Sequence, residues 1–216
     1  MSLDILILTH KRPQLFTRCI DSVLNQTRTD VQVNIYVNND TSDITEVYDD
    51  RFNIKYTYNH FEELTEVYRQ LYYNSDGDYV LFLEDDDYLH KEYLEHITFA
   101  HDVYFTNYIS MPILNTRGIR SISTTYQPRQ LTECNNLSEF RAGMNYRYFQ
   151  MSQMLFKRET AKEFYEQGTI PSTLDYDAKL LNSFPAESTI KYIYKALWVQ
   201  TTDGQDNVSF AHLNDE

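Results

Sequence analysis

The sequence predicts an α/β fold, in which a Rossmann-like, mostly parallel sheet is flanked by helices. Two observations predict it. Apolar runs of strand length alternate with stretches of helical periodicity through the first half of the chain, which is the pattern of β-α-β units. Polar turns follow those runs directly, as they do where strands end at the edge of a sheet. The chain has 216 residues, of which 42% are apolar, and this suits a single domain.

The first elements are predicted from apolar patterning and from turn chemistry. Leu3–Leu8 is a continuous apolar run, which is typical of a buried parallel strand. Pro13 can open the following helix because its missing N–H costs nothing in the first turn, and apolar residues at helical spacing continue to about Asn25. Val31–Val37 alternates and then becomes apolar, which predicts a second strand. The polar turn Asn38–Asp43 ends that strand and offers helix caps.

The later elements follow from the same patterns, with Gly and Asn marking several ends. In order we expect a short helix to Tyr48, a strand Ile54–Tyr58, a helix Phe61–Tyr73 ended by Asn74–Gly77, a strand Tyr79–Leu83, a helix Leu89–Phe99 and a strand Val103–Met111. The second half is less regular. It predicts a loop-rich stretch Pro112–Tyr146, a strand Met151–Phe156, helices Arg158–Glu166 and Leu174–Leu181, and an extended hairpin arm Ile190–Val199.

The charge balance narrows the classes of partner. With 19 basic and 32 acidic residues the net charge is −13, so nucleic acid and anionic membrane surfaces are disfavoured as partners. No apolar run has the length of a transmembrane helix, and residues 1–4 lack the charged start of a signal peptide. Cys19 and Cys134 are expected to be reduced thiols. We therefore expect a cytoplasmic protein, and its oligomeric state stays open.

The segment Tyr79–Asp87 carries the strongest chemical signal. Its strand runs directly into four consecutive carboxylates, Glu84–Asp87, which repel one another and do not help to form a core. A helix N-terminus would account for one or two acids at such a place, but not for four. Hard divalent cations prefer oxygen ligands, so a cation that holds a diphosphate is the leading explanation.

Polar clusters follow three of the predicted strands, at Thr9–Arg12, Asn38–Asp43 and Glu84–Asp87. If these strands are neighbours, the clusters converge at the carboxyl edge of the sheet, where open α/β sheets bind ligands. Neither G-x-G-x-x-G nor G-x-x-x-x-G-K-[ST] occurs, so a NAD-type oxidoreductase and a P-loop NTPase are disfavoured. A metal would then replace the missing glycine loop in neutralising a nucleotide diphosphate.

Five segments along the chain share a pattern with a known family. They are I-L-I-L-T-H-K-R-P-Q-L-F-T-R-C-I-D-S-V-L-N-Q-T (Ile5–Thr27), N-N-D-T-S-D (Asn38–Asp43), G-D-Y-V-L-F-L-E-D-D-D-Y-L (Gly77–Leu89), T-L-D-Y-D (Thr173–Asp177) and G-Q-D-N-V-S (Gly204–Ser209). In this order they resemble the opening strand, P-T-Y-N-R-P turn and helix, the D-D-G-S-x-D, G-x-Y-[IV]-x-F-L-D-x-D-D-x-L and E-D-x-D-L segments, and the closing H-x-x-N-x-S of family 2 glycosyltransferases with the GT-A fold. The resemblance is strong over residues 1–90 and weak over Pro112–Tyr146.

The resemblance implies one GT-A domain over residues 1–216, with a nucleotide-binding half at 1–100 and a less regular acceptor-side half at 101–216. It implies metal-dependent transfer of a sugar, with inversion, from a nucleotide diphosphate sugar to an acceptor hydroxyl. A UDP-sugar is the favoured donor, and the acceptor is a glycan, a lipid-linked sugar or a small molecule. Two rivals stay open: a nucleotidyltransferase, and a degenerate GT-A protein that binds nucleotide or sugar without turnover.

The acidic run acquires specific roles from the resemblance. Glu84 and Asp86 match the two acids of the family's D-x-D motif, and Asp87 matches the acid that follows it. The resemblance implies that Asp86, together with Asp87, holds Mn²⁺ or Mg²⁺, while Glu84 and Asp85 face the nucleotide. The alternative register, Asp85-x-Asp87, stays open because glutamate extends its carboxylate one methylene farther than aspartate.

Four further residues are assigned to the nucleotide by resemblance. Asn39 matches the base-reading aspartate, and its amide oxygen can accept a hydrogen bond from uracil N3–H. Thr9 matches a position that contacts the nucleoside, while Arg12 and Arg69 are expected near the phosphates or the base. The structural alternatives are an Asn-rich turn, a loop threonine and solvated surface arginines.

Asp175 matches the aspartate that acts as general base in inverting members of the family. Such a base must reach the acceptor hydroxyl and take its proton. Leu174 stands where the family has a glutamate, so this match is partial. Asp177 is the nearby alternative, and a helix-cap acid is the structural explanation for either residue.

Overall fold

The computed structural model describes residues 1–39, 41–60, 63–111, 123–125, 136–143, 150–167 and 176–201. The helices there are α1 (Pro13–Leu24), α2 (Leu64–Asn74), α3 (Leu137–Gly143), α4 (Lys162–Glu166) and α5 (Tyr176–Ser183). The strands are β1 (Ser2–Thr9), β2 (Gln32–Asn39), β3 (Asn53–Thr57), β4 (Tyr79–Glu84), β5 (Tyr88–Leu89), β6 (Val103–Met111), β7 (Ser123–Thr125), β8 (Met154–Lys157) and β9 (Ile190–Thr201). Short 3₁₀ turns lie at Leu94–His96, Met151–Gln153 and Arg158–Ala161.

Across the described residues the strands form one sheet in the order β3-β2-β1-β4-β8-β6-β9-β5, and β7 pairs with β6. Strands β3, β2, β1 and β4 are mutually parallel, as are β6 and β9. Antiparallel pairing enters through β5, β7 and β8. The predicted α/β fold with a Rossmann-like sheet is confirmed, and the less regular pairing falls where the sequence patterns also lose their regularity.

Apolar side chains cover both faces of this sheet. Leu6 of β1 packs into one cluster, while its neighbours Ile5 and Ile7 pack into the other, because successive strand residues point to opposite faces. The first cluster draws on α2, α4 and α5 through Val67, Leu71, Phe164 and Leu180. The second draws on α1 through Phe16, Ile20 and Val23. Burial on both faces explains why β1 reads as a continuous apolar run.

The short helix expected to end at Tyr48 is wrong. Residues 41–50 contain no helical turn in the structure. The hydroxyl of Tyr56 accepts a hydrogen bond from the backbone N–H of Val47 at 2.8 Å and donates to the Val47 carbonyl oxygen at 3.1 Å. A side chain from β3 therefore satisfies the backbone groups that a helix would have used.

The helix expected at Leu89–Phe99 is also wrong: strand β5 and a single 3₁₀ turn lie there. Gln26, from the S-V-L-N-Q-T motif, accepts a hydrogen bond from Leu94 N at 3.0 Å and donates to the His90 carbonyl oxygen at 2.9 Å. Ser22 accepts from Leu89 N at 3.0 Å. These tertiary bonds override the helical spacing and fix the chain just after the acidic run.

The extended arm expected at Ile190–Val199 is a single strand rather than part of a hairpin. Strand β9 lies parallel to β6 on one side and pairs antiparallel with β5 on the other. It ends at Thr201, beside the acidic run. Its final residue therefore enters the candidate site.

Candidate functional site

The carboxyl ends of β2, β1 and β4 lie side by side. Thr9 is in register with Asn39 across the β1–β2 pair, and Leu8 is in register with Glu84 across the β1–β4 pair. Parallel neighbours end at the same edge of a sheet, so the three polar clusters meet there. The convergence expected from the sequence is therefore present in the structure.

The four acids form a tight turn at this edge. Asp87 N donates to the Glu84 carbonyl oxygen at 3.0 Å, and the three aspartates are buried. Oxygen atoms of Glu84, Asp86 and Asp87 lie within 4.8 Å of one another. The Oδ2 atom of Asp87 is buried and meets no donor at hydrogen-bond geometry, although the Trp198 side chain lies close enough to lower the pKa of Asp87. Three converging carboxylates, one with a spare buried oxygen, fit a hard divalent cation.

Burial and mutual repulsion raise the pKa values of the acids in this turn. Burial, followed by the charges of Asp86 and Asp177, raises the pKa of Glu84 to about 8, although part of the residue reaches solvent. Burial, followed by the charge of Asp85, raises the pKa of Asp86 to about 6. The pKa of Asp87 is raised well above its ordinary value, first by burial. A bound cation would favour the ionised forms and reverse these shifts.

Arg12 lies against the acids. Its Nη1 atom is 2.9 Å from Asp85 Oδ1 and 3.4 Å from Asp86 Oδ2. Burial raises the pKa of Asp85, while Arg12, the Thr9 hydroxyl and the backbone of His10 each lower it. Residues of the loop after β1 thus hold Asp85, and Arg12 also contacts Asp86, which belongs to the converging group of Glu84, Asp86 and Asp87.

Asn39 is built into the turn after β2. It is fully buried, and its Oδ1 atom accepts hydrogen bonds from Thr41 N at 3.2 Å and Thr41 Oγ1 at 3.0 Å. Its Nδ2 atom donates to Asp43 Oδ1 at 3.3 Å. The turn therefore fixes the orientation of the amide at the edge of the sheet next to Thr9.

Arg69, assigned to the nucleotide by resemblance, has other neighbours in the structure. Its Nη1 atom lies 3.6 Å from Glu66, and its guanidinium lies over the ring of Tyr73 at 5.5 Å. The adjacent residue on α2, Tyr68, places its hydroxyl 3.4 Å from Glu84 Oε1. Helix α2 therefore contacts the acidic turn through Tyr68. No pattern in the sequence predicted this contact.

The structure describes only one of the two candidate bases, Asp177. Asp175 lies outside the described residues. Asp177 lies in the first turn of α5 and is half-buried. Burial raises its pKa to about 6, and a backbone hydrogen bond from Met151 lowers it. The ring of Tyr176, at the start of α5, lies 5.1 Å from the ring of Tyr68, whose hydroxyl meets Glu84, so α5 lies on the side of the acidic turn.

Two residues that the sequence patterns missed contact the acidic turn directly. Arg18 Nη2 donates to the Asp86 carbonyl oxygen at 2.6 Å and to Thr201 Oγ1 at 2.9 Å. Thr201 N donates to Asp87 Oδ1 at 2.9 Å across a separation of 114 residues. No local motif signals a contact between residues so far apart in the chain.

The described part of the chain contains no helix with both the length and the apolar character needed to cross a bilayer.

Comparisons with known proteins agree with this architecture. The model for glycosyl transferase family 2 matches residues 4–164. Comparison with curated proteins gave no match. The fold is similar to S. aureus TarS 1–349 in complex with UDP-GlcNAc, with a TM-score of 0.71 and 16% identity, over 98% of this chain and 61% of that one. It is similar to TarS 1–349 in complex with UDP, with a TM-score of 0.67 and 16% identity, over 93% of this chain and 60% of that one.

Longer S. aureus TarS gives a TM-score of 0.64 at 17% identity, over 93% of this chain and 37% of that one. The present chain therefore spans less than two thirds of the TarS chains that it matches. At these identities the likeness concerns the fold.

Proposed function

The chain belongs to glycosyl transferase family 2, and we propose that it transfers a sugar from a nucleotide diphosphate sugar to an acceptor hydroxyl. A UDP-sugar is the favoured donor, since structural neighbours of the same fold were solved with UDP-GlcNAc and with UDP. Residues 1–100 would bind the nucleotide and residues 101–216 would face the acceptor. The acceptor is a hydroxyl of a glycan, a lipid-linked sugar or a small molecule.

One observation carries this proposal: Thr9, Asn39 and the acidic turn meet at one edge of the sheet. A nucleoside placed against Thr9 and Asn39 would direct its diphosphate toward the end of β4, because β1 separates β2 from β4. The four acids would repel that diphosphate unless a cation lay between them.

Glu84, Asp86 and Asp87 would hold that cation, Mn²⁺ or Mg²⁺, and their all-oxygen donor set suits either ion. When bound, the ion supplies positive charge that stabilises the departing diphosphate. Arg12 keeps Asp85 turned toward the loop after β1 and provides a second positive charge at the same edge. Tyr68 donates to Glu84 and limits the positions that this longer carboxylate can take.

Transfer with inversion requires a carboxylate on the acceptor side. That carboxylate takes the proton of the acceptor hydroxyl as its oxygen bonds to the anomeric carbon, while the bond from that carbon to the diphosphate breaks on the opposite face. Asp175 is the residue that the resemblance implies for this role. Asp177 is the alternative, and a pKa near 6 would leave it largely ionised at neutral pH.

A nucleotide screen followed by a hydrolysis assay tests the proposal. UDP, GDP, CDP and TDP are added with and without Mn²⁺, and thermal unfolding is recorded, since a ligand that binds only the native state stabilises it. We expect UDP with Mn²⁺ to give the largest shift and UDP-GlcNAc to release UDP slowly. A protein stabilised by UDP that hydrolyses no UDP-sugar would be the degenerate binder, and one that responds to no nucleotide would contradict the proposal.

A further inference from the structure

Two residues from elements far apart in the sequence form hydrogen bonds with the acidic turn. Arg18, on α1, donates from Nη2 to the Asp86 carbonyl oxygen at 2.6 Å and to Thr201 Oγ1 at 2.9 Å. Thr201, at the end of β9, donates its hydroxyl to the same Asp86 carbonyl oxygen. Its backbone N–H donates to Asp87 Oδ1 at 2.9 Å. Four hydrogen bonds thus connect α1, β9 and two consecutive acids.

These bonds act on the groups that set the direction of the carboxylates. The Asp86 carbonyl belongs to the peptide that joins Asp86 to Asp87, so two donors on that oxygen fix the plane of the peptide. The bond from Thr201 N engages only Oδ1 of Asp87, and the buried Oδ2 atom makes no hydrogen bond. These contacts therefore orient the two acids, while Asp87 Oδ2 makes no hydrogen bond within the described residues.

Arg18 also brings positive charge to the acidic turn. Its Nη2 atom donates to the backbone oxygen of Asp86 and to Thr201 Oγ1, and its guanidinium lies 5.2 Å from the centre of the Tyr88 ring. Tyr88 belongs to β5, which pairs with β9. The Arg18 guanidinium is thus held beside the acidic turn, where its positive charge offsets part of the repulsion among the acids.

We propose that Arg18 and Thr201 are positioning residues that preorganise Asp86 and Asp87 for a divalent cation. This inference rests on the metal-dependent function proposed above. Outer residues that orient metal ligands commonly change metal affinity by about 10- to 100-fold when they are altered. The same loss is expected here without a matching loss of fold stability.

The test measures Mn²⁺ binding by electron paramagnetic resonance of the free ion, with and without UDP, alongside thermal unfolding of the metal-free protein. Thr201→Val removes the hydroxyl and keeps the backbone N–H that contacts Asp87. Thr201→Ser keeps the hydroxyl. Thr17→Val is the matched control, because the Thr17 hydroxyl is exposed on α1 and donates to the Pro13 carbonyl oxygen at 2.8 Å.

Thr201→Val is expected to weaken Mn²⁺ binding about tenfold, while Thr201→Ser and Thr17→Val bind as the wild type does. Arg18→Lys, which keeps the charge but loses the planar donor group, is expected to show a comparable loss, and it carries the test if Thr201→Val fails to fold. Wild-type affinity in Thr201→Val or in Arg18→Lys would overturn the inference alone. A wild-type protein that binds no Mn²⁺ would overturn the proposed metal site, and the inference with it.

Discussion

The guanidinium of Arg12 lies 2.9 Å from the carboxylate of Asp85, so the loop after β1 and the turn after β4 are joined by a partly buried ion pair. The side chain of Arg12 is 17% exposed and that of Asp85 only 4%. Such a pair adds little when intact, but removal of one partner leaves a buried charge uncompensated. Arg12 therefore supports the acidic turn before any ligand binds.

Arg12→Met is expected to destabilise the metal-free protein by about 3 kcal/mol above neutral pH, because Asp85 would lose its counter-charge. Arg12 lowers the pKa of Asp85, so the stabilisation that it provides is present where Asp85 is ionised and is lost as the pH falls and Asp85 takes up a proton. Urea unfolding at two pH values measures this.

The control for Arg12→Met is Arg51→Met. Arg51 pairs with Asp49 at 2.8 Å, but its side chain is 57% exposed. A solvated pair of this kind contributes little to stability. Equal losses in the two variants, or a loss in Arg12→Met that does not change with pH, would contradict the role given to the Arg12–Asp85 pair.

Asp86→Ala is expected to lower Mn²⁺ affinity and UDP-sugar hydrolysis by at least about 100-fold, because it removes the central ligand of the acidic group. The same change should stabilise the metal-free protein, since it removes one of four repelling charges. The control is Asp21→Ala, because Asp21 is an exposed aspartate on α1. This change should leave Mn²⁺ affinity, hydrolysis and stability close to those of the wild type. Full Mn²⁺-dependent affinity for UDP in Asp86→Ala would show that the metal site lies elsewhere.

The position of the acidic turn could be predicted from the sequence. So could strands β1, β2 and β4, whose carboxyl ends meet there. Each depended on a local pattern: an apolar run, a polar turn, and four carboxylates in a row. The contacts of Arg18 and Thr201 could not be predicted, because they join residues far apart in the chain that carry no motif. The wrong prediction of a helix at Leu89–Phe99 has a similar cause, since Gln26, just after α1, hydrogen-bonds to the backbone of that segment.

The stability of the metal-free protein is expected to fall as the pH rises from about 5 to about 8. The pKa of Glu84 is raised from 4.5 to about 8 and that of Asp86 from 3.8 to about 6. Between its unfolded and folded pKa values, each group binds more protons in the native state than in the unfolded state. Stability therefore decreases with rising pH in this interval.

Mn²⁺ should reverse this trend, because a cation favours the ionised carboxylates. Urea unfolding at several pH values, with and without Mn²⁺, measures both effects. Acids with lowered pKa, such as Asp49 at about 2, titrate below this interval and do not obscure it. Constant or increasing stability of the metal-free protein between these pH values would contradict the raised pKa values of the acidic turn.

Asp175→Asn is expected to lower kcat for UDP-sugar hydrolysis by about 100-fold or more, with little change in KM, because the amide cannot accept a proton from the water that replaces the acceptor hydroxyl in this assay. Asp177→Asn should instead stabilise the protein at neutral pH, since it removes a charge whose pKa burial has raised to about 6. A large loss of kcat in Asp177→Asn, with near-normal turnover in Asp175→Asn, would transfer the role of base to Asp177.

A last prediction concerns the opposite, amino-terminal edge of the sheet, where Asp4 is fully buried. Asp4 accepts hydrogen bonds from Asn34 Nδ2 at 2.6 Å, Asp76 N at 2.8 Å and Gly77 N at 2.6 Å. A Cβ atom on Gly77 would lie 2.4 Å from Asp4 Oδ1, so the carboxylate would have to move away from its three donors.

Gly77→Ala is therefore expected to cost about 3 kcal/mol of unfolding free energy, because it disturbs buried hydrogen bonds to a charged group. Asp4→Asn, which keeps the shape but replaces one acceptor oxygen with a donor, should cost a similar amount. Neither change should alter Mn²⁺ affinity in the folded protein, since the acids lie at the carboxyl edge of β4 and Gly77 precedes its first residue. A small cost in urea unfolding would contradict the role given to the Asp4 hydrogen bonds, and weakened Mn²⁺ binding in both variants would show that the two edges of the sheet are not independent.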